Sequence, residues 1–154
     1  MSDKKLAGKK LILLGERDGV PGPAMEACLK NSGAEVEFYV TDEGAMDLQN
    51  QQRIKDAALK YGGENVVVIL GSSEADGAEI YAETVCSGDP TYAGPLAGVQ
   101  LGLPVYHIFD GVIRKECDPI AWDEQVNMME MVLDTDKLVA TVKGIRDQYS
   151  KFKI

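Results

Sequence analysis

Few residues of this chain could carry catalysis or hold a metal. There is one histidine, His107, and there are three cysteines, Cys28, Cys86 and Cys117. No Ser–His–Asp or Cys–His set can be argued from a single histidine inside a strand. Three cysteines, odd in number and far apart, make no disulfide framework and no CxxC or zinc spacing. No apolar run approaches the roughly 18 residues of a membrane helix. Basic side chains are also scarce: 16 Lys and Arg stand against 25 Asp and Glu, a net charge of -9. That balance disfavours nucleic acid and anionic membrane as partners, since both need basic surface. The start, Met1-Ser-Asp-Lys-Lys, runs into strand-like sequence without a signal-peptide core, so the cytoplasm is the expected compartment.

What is present is enough for one folded unit. A length of 154 residues suits a single domain, 1–154, with a real core. Leu11-Ile12-Leu13-Leu14 is a continuous apolar run, as in a strand buried on both faces. Pro23 fits the first turn of a helix, and Ala24, Met25, Cys28 and Leu29 share one helical face, with Gly33 as a left-handed stop. Val36, Phe38 and Val40 alternate with polar neighbours, a strand nearer the sheet edge. From Asp47 to Tyr61, Ile54, Ala57, Ala58 and Tyr61 follow helical spacing. Val66 to Leu70 is the clearest buried strand. Ser72 or Ser73 can cap a helix running to about Thr84. Ala93–Leu101 reads as a helix, Val105–Phe109 as a fourth strand, and Ile120–Leu133 and Asp136–Tyr149 as two final helices. In the last of these Leu138, Val142, Ile145 and Tyr149 form the apolar stripe.

Strands alternating with helices imply parallel pairing and right-handed crossovers. The expected fold is α/β: about four mainly parallel strands with helices on both faces, a flavodoxin-like or Rossmann-like three-layer sandwich. Ligands in such sheets bind beyond the carboxyl ends of the strands. That directs attention to loops 15–23, 41–47, 71–74 and 110–119. Loop 87–92 follows a helix, so simple winding puts it at the opposite edge, although its composition argues otherwise.

Loop 15–23 is Gly-rich and joins a strand to a helix, a setting that can cradle a phosphate or a nucleotide. Its candidate residues are Gly15, Arg17, Gly19 and Gly22. It matches neither GxGxxG nor GxxxxGK[ST], and Glu16 and Asp18 oppose an anion. A tight turn accounts for the same residues. His107 reads as a hydrogen-bonded core residue. Asp18, Glu74, Glu79, Glu83 and Asp89 match no metal spacing and read as solvated surface. Cys86 ends a helix beside Gly88-Asp89-Pro90, a position that exposes it, although a helix C-terminus raises a thiol pKa. Cys28 reads as core, and Cys117 lies in a polar loop. Met128, Met129 and Met131 read as packing rather than a cofactor box.

Four stretches then read together: Gly15-Glu16-Arg17-Asp18-Gly19-Val20-Pro21-Gly22-Pro23-Ala24, Gly44-Ala45-Met46-Asp47-Leu48, the run from Gly88 to Leu103, and Glu124 to Asp134. Together they resemble component A, the small selenoprotein of clostridial-type glycine, sarcosine and betaine reductases. The resemblance runs nearly end to end. It implies an oxidoreductase carrier subunit of amino-acid fermentation. Its selenol takes a carboxymethyl group from a substrate-specific component B, and component C converts this to an acetyl thioester released as acetyl phosphate. The selenium is left in a bond to a nearby cysteine, which thioredoxin reduces. A selenol ionises at neutral pH and outdoes a thiol as a nucleophile.

The sequence departs from that pattern at one place. The family's Cys-x-x-selenocysteine motif lies just upstream of Gly-Ala-Met-Asp-Leu, which here means Thr41, Asp42, Glu43 and Gly44. Phe38-Tyr39-Val40-Thr41-Asp42-Glu43 runs directly into Gly44, with no selenocysteine and no cysteine. The loop has been removed by engineering or by a mishandled in-frame UGA codon, or the chain is a docking or regulatory paralogue, or Cys86 substitutes from another loop. On the first two readings the chain carries no cofactor of its own and is inactive in isolation. Its implied partners are components B and C and thioredoxin. A stand-alone flavodoxin-like module binding an anion or nucleotide at loop 15–23 is the alternative from another class.

Overall fold

The computed structural model describes residues 4–41 and 46–154. Its core is a four-stranded, all-parallel sheet of order β2-β1-β3-β4. The strands are β1 (Lys10–Gly15), β2 (Glu35–Thr41), β3 (Val66–Leu70) and β4 (Val105–His107). Every residue of β3 is buried, as its unbroken Val/Ile/Leu run dictates for a strand covered on both faces. β2 alternates exposed residues with the half-buried Val36 and Val40 and the buried Phe38, and lies at the sheet edge, as its pattern implied. β1 pairs Ile12 with Val68 on one side and with Phe38 on the other, and a register shift falls between Leu11 and Ile12. β4 is shorter than the expected Val105–Phe109. Ile108 N still donates to Leu70 O, but the chain then turns, with Asp110 N on His107 O.

The connections are α1 (Gly22–Cys28), α2 (Leu48–Tyr61) and α3 (Ala75–Cys86). β1 passes to β2 in one direction, whereas β2 passes to β3 and β3 to β4 in the other. Right-handed crossovers therefore put α1 on one face and α2 and α3 on the opposite one. The chain ends with α4 (Gly111–Arg114), α5 (Pro119–Gln125), α6 (Asn127–Val132) and α7 (Thr135–Tyr149). α5 packs on α1, and α7 packs on α3 and β4, which completes a three-layer sandwich. Leu11, Ile12, Leu13, Leu14, Ile69 and Leu70 are fully buried between the layers. Burying each such side chain contributes about 1.5–3 kcal/mol.

Several local expectations need correction. Residues 93–101 form turns and no helix. Pro95 has no N–H to give, Gly98 sits at φ +71°, and Leu96 spends its N–H on Gln51 and its C=O on Asp89. The single helix expected over Ile120–Leu133 is two, broken at Val126, which leaves helical geometry (φ -123°) with its side chain fully buried. Met128 and Met131 do not pack: they are 72% and 80% exposed. Along α7 the buried stripe is Leu138, Val142 and Arg146, whereas Tyr149 is exposed. Gly33 is left-handed, but it lies in the turn after α1, whose cap is Leu29. Neither serine caps α3: Glu74 stands at its N-cap, and Ser72 Oγ is buried without a hydrogen-bond partner.

Candidate functional site

The reversal of strand order falls between β1 and β3, where parallel sheets open a crevice for ligands. Here the chain's own loops close it. Val20 N donates to Gly71 O at 2.9 Å, and the Glu16 carboxylate accepts from Ser73 N at 3.1 Å. Gly19 must be glycine, because a Cβ there would stand 2.1 Å from Gly71 O. Gly15 is equally confined, its Cβ position lying 2.3 Å from Gly22 N. Several N–H groups a phosphate could use are engaged within the chain: Glu16 N with Val20 O, Gly19 N with Glu16 O, and Gly22 N with Thr41 Oγ1 at 3.0 Å. Arg17 is exposed on this loop. Loop 15–23 is thus built as a tight turn that fixes the end of β2. A hollow of about 290 Å³ lies beyond it between the starts of α3 and α7. Its carboxylates Glu74, Asp76 and Asp134 face a single cation, Lys137, and oppose an anion.

A second loop cluster is organised around Gln51, in the first turn of α2. Asp47 caps that helix by accepting from Asn50 N at 2.9 Å. Gln51 is buried and joins three segments. Its Nε2 donates to Met46 O at 2.9 Å and to Asp89 Oδ2 at 3.0 Å, and its Oε1 accepts from Leu96 N at 3.0 Å. Asp89 closes the arrangement, accepting also from Thr91 N (2.8 Å), Thr91 Oγ1 (2.7 Å) and Ala93 N (3.1 Å). Burial alone would push the Asp89 carboxyl up, but these donors outweigh it and hold it down at about 2. Asp89 is therefore a buried latch and not solvated surface.

The latch settles the position of the loop after α3. Residues 88–99 lie against the first turn of α2, directly after the stretch that joins β2 to α2. Within the loop Tyr92 is held at φ +55° with 75% of its surface exposed. A non-glycine residue in that region costs of order 1–3 kcal/mol. Leu48, at the start of α2, is 60% exposed. Sequence reasoning missed Gln51 and Tyr92. The signal for the first was a lone amide on the apolar face of α2; nothing in the sequence signalled Tyr92's backbone.

The expected redox position falls on Thr41, Asp42, Glu43 and Gly44. Thr41 ends β2, and Asp42, Glu43 and Gly44 lie outside the described residues. Cys86 is fully buried, correcting its expected exposure. Its Sγ donates to Leu103 O at 3.2 Å, and the returning chain covers it through Gly102 N on Cys86 O. Burial pushes its thiol up to about 12, opposite to what a nucleophile needs. Cys28 is fully buried and Cys117 half-buried. His107 is a core residue: Nε2–H donates to Ser72 O (2.8 Å), Nδ1 accepts from Phe109 N (3.2 Å), and burial lowers its pKa to about 4. Among the described residues no group of three His, Cys, Asp or Glu side chains is placed to hold a metal ion, and no helix is long and apolar enough to cross a membrane.

Fold and site together define a class, a parallel α/β domain whose ordered loops flank the β2–α2 connection rather than a ligand crevice. The chain belongs to the glycine reductase complex selenoprotein A family, which it matches over residues 6–146. It is 57% identical over 153 residues to the glycine/sarcosine/betaine reductase complex component A of Carboxydothermus hydrogenoformans, covering 96% of this chain and 98% of that protein. It is 53% identical over 152 residues to the component A of Symbiobacterium thermophilum, covering 95% and 98%. Component A1 of Peptoclostridium acidaminophilum is 52% identical over 151 residues, covering 94% and 96%. No solved structure matches the chain.

Proposed function

We propose that this chain is the small carrier-type subunit of a glycine/sarcosine/betaine reductase complex, and that it docks to the partner components through the face formed by residues 41–47 and 88–99. The observation that carries this reading is the Gln51–Asp89 latch. It holds an exposed, strained Tyr92 beside the β2–α2 connection, the place where the family keeps its selenium. In the family the partners are components B and C, with thioredoxin as reductant. The chain has no cysteine or selenocysteine between Leu29 and Val85. It therefore binds the partners without carrying the carboxymethyl group itself.

The test is binding to components B and C, followed by addition to a mixture depleted of component A. The chain binds, Tyr92→Ala weakens that binding without loss of fold, and glycine-dependent acetyl phosphate formation is not restored. Absence of binding removes the subunit reading. Restored acetyl phosphate removes the claim that the redox centre is missing.

A further inference from the structure

Cys28 and Cys117 lie 89 residues apart in sequence, yet the fold brings them close enough for each to shift the other's thiol, Cys28 down and Cys117 up. Cys28 is the last residue of α1, and Cys117 lies in the turn between α4 and α5. The backbones are tied at the same point, with Asp118 N donating to Cys28 O at 2.8 Å. Asp118 then caps α5 through Ala121 N, which fixes the turn. The segments that carry the two cysteines are thus held side by side, and a disulfide needs their Cα atoms within about 7 Å. Their accessibility differs. Cys28 is fully buried, whereas Cys117 is half-buried and lines a surface hollow of about 190 Å³ with Arg114, Pro119, Trp122 and Asp123.

We infer that Cys28 and Cys117 form a reversible redox pair, a dithiol that closes to an intrachain disulfide by exchange with an external disulfide and is reopened by a dithiol reductant. The asymmetry sets the order of events. The Cys117 sulfur attacks the external disulfide R–S–S–R, its S–S bond breaks, and the first R–S⁻ leaves with the Cys117 proton. The Cys28 sulfur then attacks Cys117 in the mixed disulfide, forming the Cys28–Cys117 bond and expelling the second R–S⁻, which takes the Cys28 proton. Two protein thiols are oxidised and one external disulfide is reduced to two thiols. Contact between the two lowers the Cys28 thiol and raises that of Cys117, so the first attack, fixed on Cys117 by its access to the surface, is the slow step, and Cys28 resolves the mixed disulfide quickly. The buried Cys86 stands apart from this exchange as an internal control.

The test treats the native full-length chain with oxidised glutathione, alkylates it after unfolding, and maps the peptides. The expected result is loss of two of the three alkylatable thiols, a linked Cys28–Cys117 peptide pair, and recovery of all three thiols with dithiothreitol. Cys117→Ala, at a half-exposed position, abolishes the bridge while the circular dichroism spectrum is kept, and Cys86→Ala leaves the bridge intact. Three free thiols after oxidation, glutathione retained on Cys117, or a bridge that includes Cys86 would each overturn the pair.

Discussion

Replacing Asp89 by asparagine tests the latch directly. The carboxylate accepts four hydrogen bonds, two from Thr91 at Oδ1 and two, from Ala93 N and Gln51 Nε2, at Oδ2. Asparagine retains an oxygen for Thr91 but turns an NH₂ group toward the other two donors. Two hydrogen bonds are lost, and two donors are left facing a third in a site that is only 4% exposed. At about 1–3 kcal/mol for each unsatisfied buried group, the cost is about 3 kcal/mol. Proton linkage gives an independent figure. A carboxyl moved from 3.8 to about 2 contributes about 2.4 kcal/mol at neutral pH. The folded pKa is depressed, so this stability is fully present above pH 3.8 and is lost as the pH falls through about 2. About half of it is gone by pH 3. Urea unfolding of the two proteins at pH 7 and pH 3 measures both quantities. A difference below about 0.5 kcal/mol at pH 7, or one that does not shrink toward pH 3, refutes the latch as described.

Other consequences follow from the same packing. Arg146 donates to Val105 O at 3.0 Å, lies 3.5 Å from the Asp110 carboxylate and covers the Tyr106 ring, all in a buried site. Arg146→Met leaves Asp110 with only its bond from Val112 N among these and lowers stability by about 3 kcal/mol in urea unfolding; a loss below about 1 kcal/mol contradicts a structural role for the pair. His107 is neutral in the native state, with its pKa lowered to about 4 by burial. Stability is therefore lost as the pH falls from about 6.5, the unfolded value, toward the folded one, at about 1.36 kcal/mol per unit. The imidazole NMR signals of the folded chain should stay fixed from pH 8 to pH 5, and a native titration near 6.5 would show that the ring is not enclosed.

The fold was legible where one physical signal dominated. The apolar runs at Leu11–Leu14 and Val66–Leu70 left no alternative to buried strands, and β2 showed its edge position through alternation. The misreadings arose where tertiary contacts outbid local pattern. Residues 93–101 carry helix-compatible side chains, but Gln51 and Asp89 take the backbone groups of Leu96 that a helix would use. Cys86 ends its helix as expected, yet the chain returns over it through Gly102 and Leu103. Asp89 belongs by composition to an acidic surface, and only the convergence of four donors makes it an interior group. A one-dimensional pattern does not contain the long meetings among these, in which Gln51 reaches Asp89 across 38 residues and Leu96 across 45. The resemblance grouped 44–48 and 88–103 with 15–24 and 124–134, and the fold joins the first two through Gln51, which bonds both Met46 O and Asp89.

On the proposed reading, the same contacts let this fold stand without the residues of the family's redox motif. Both ends of the β2–α2 connection are secured by bonds that do not involve residues 42–45. Before it, Thr41 Oγ1 accepts from Gly22 N; after it, Gln51 holds Met46 O and Asp47 caps α2. Chain length between fixed anchors enters the stability only through loop entropy. Extending the connection from the four residues 42–45 to about ten costs about (3/2)RT ln(10/4), or about 0.8 kcal/mol. A stretch of about six residues bearing Cys-x-x-selenocysteine, inserted between Glu43 and Gly44, should therefore change the unfolding free energy by no more than about 1 kcal/mol. It should also confer glycine-dependent acetyl phosphate formation when components B and C and thioredoxin are supplied. An insertion that unfolds the chain would show that the present short connection is itself a structural element. One that folds but stays inactive would show that the docking face has diverged along with the loop.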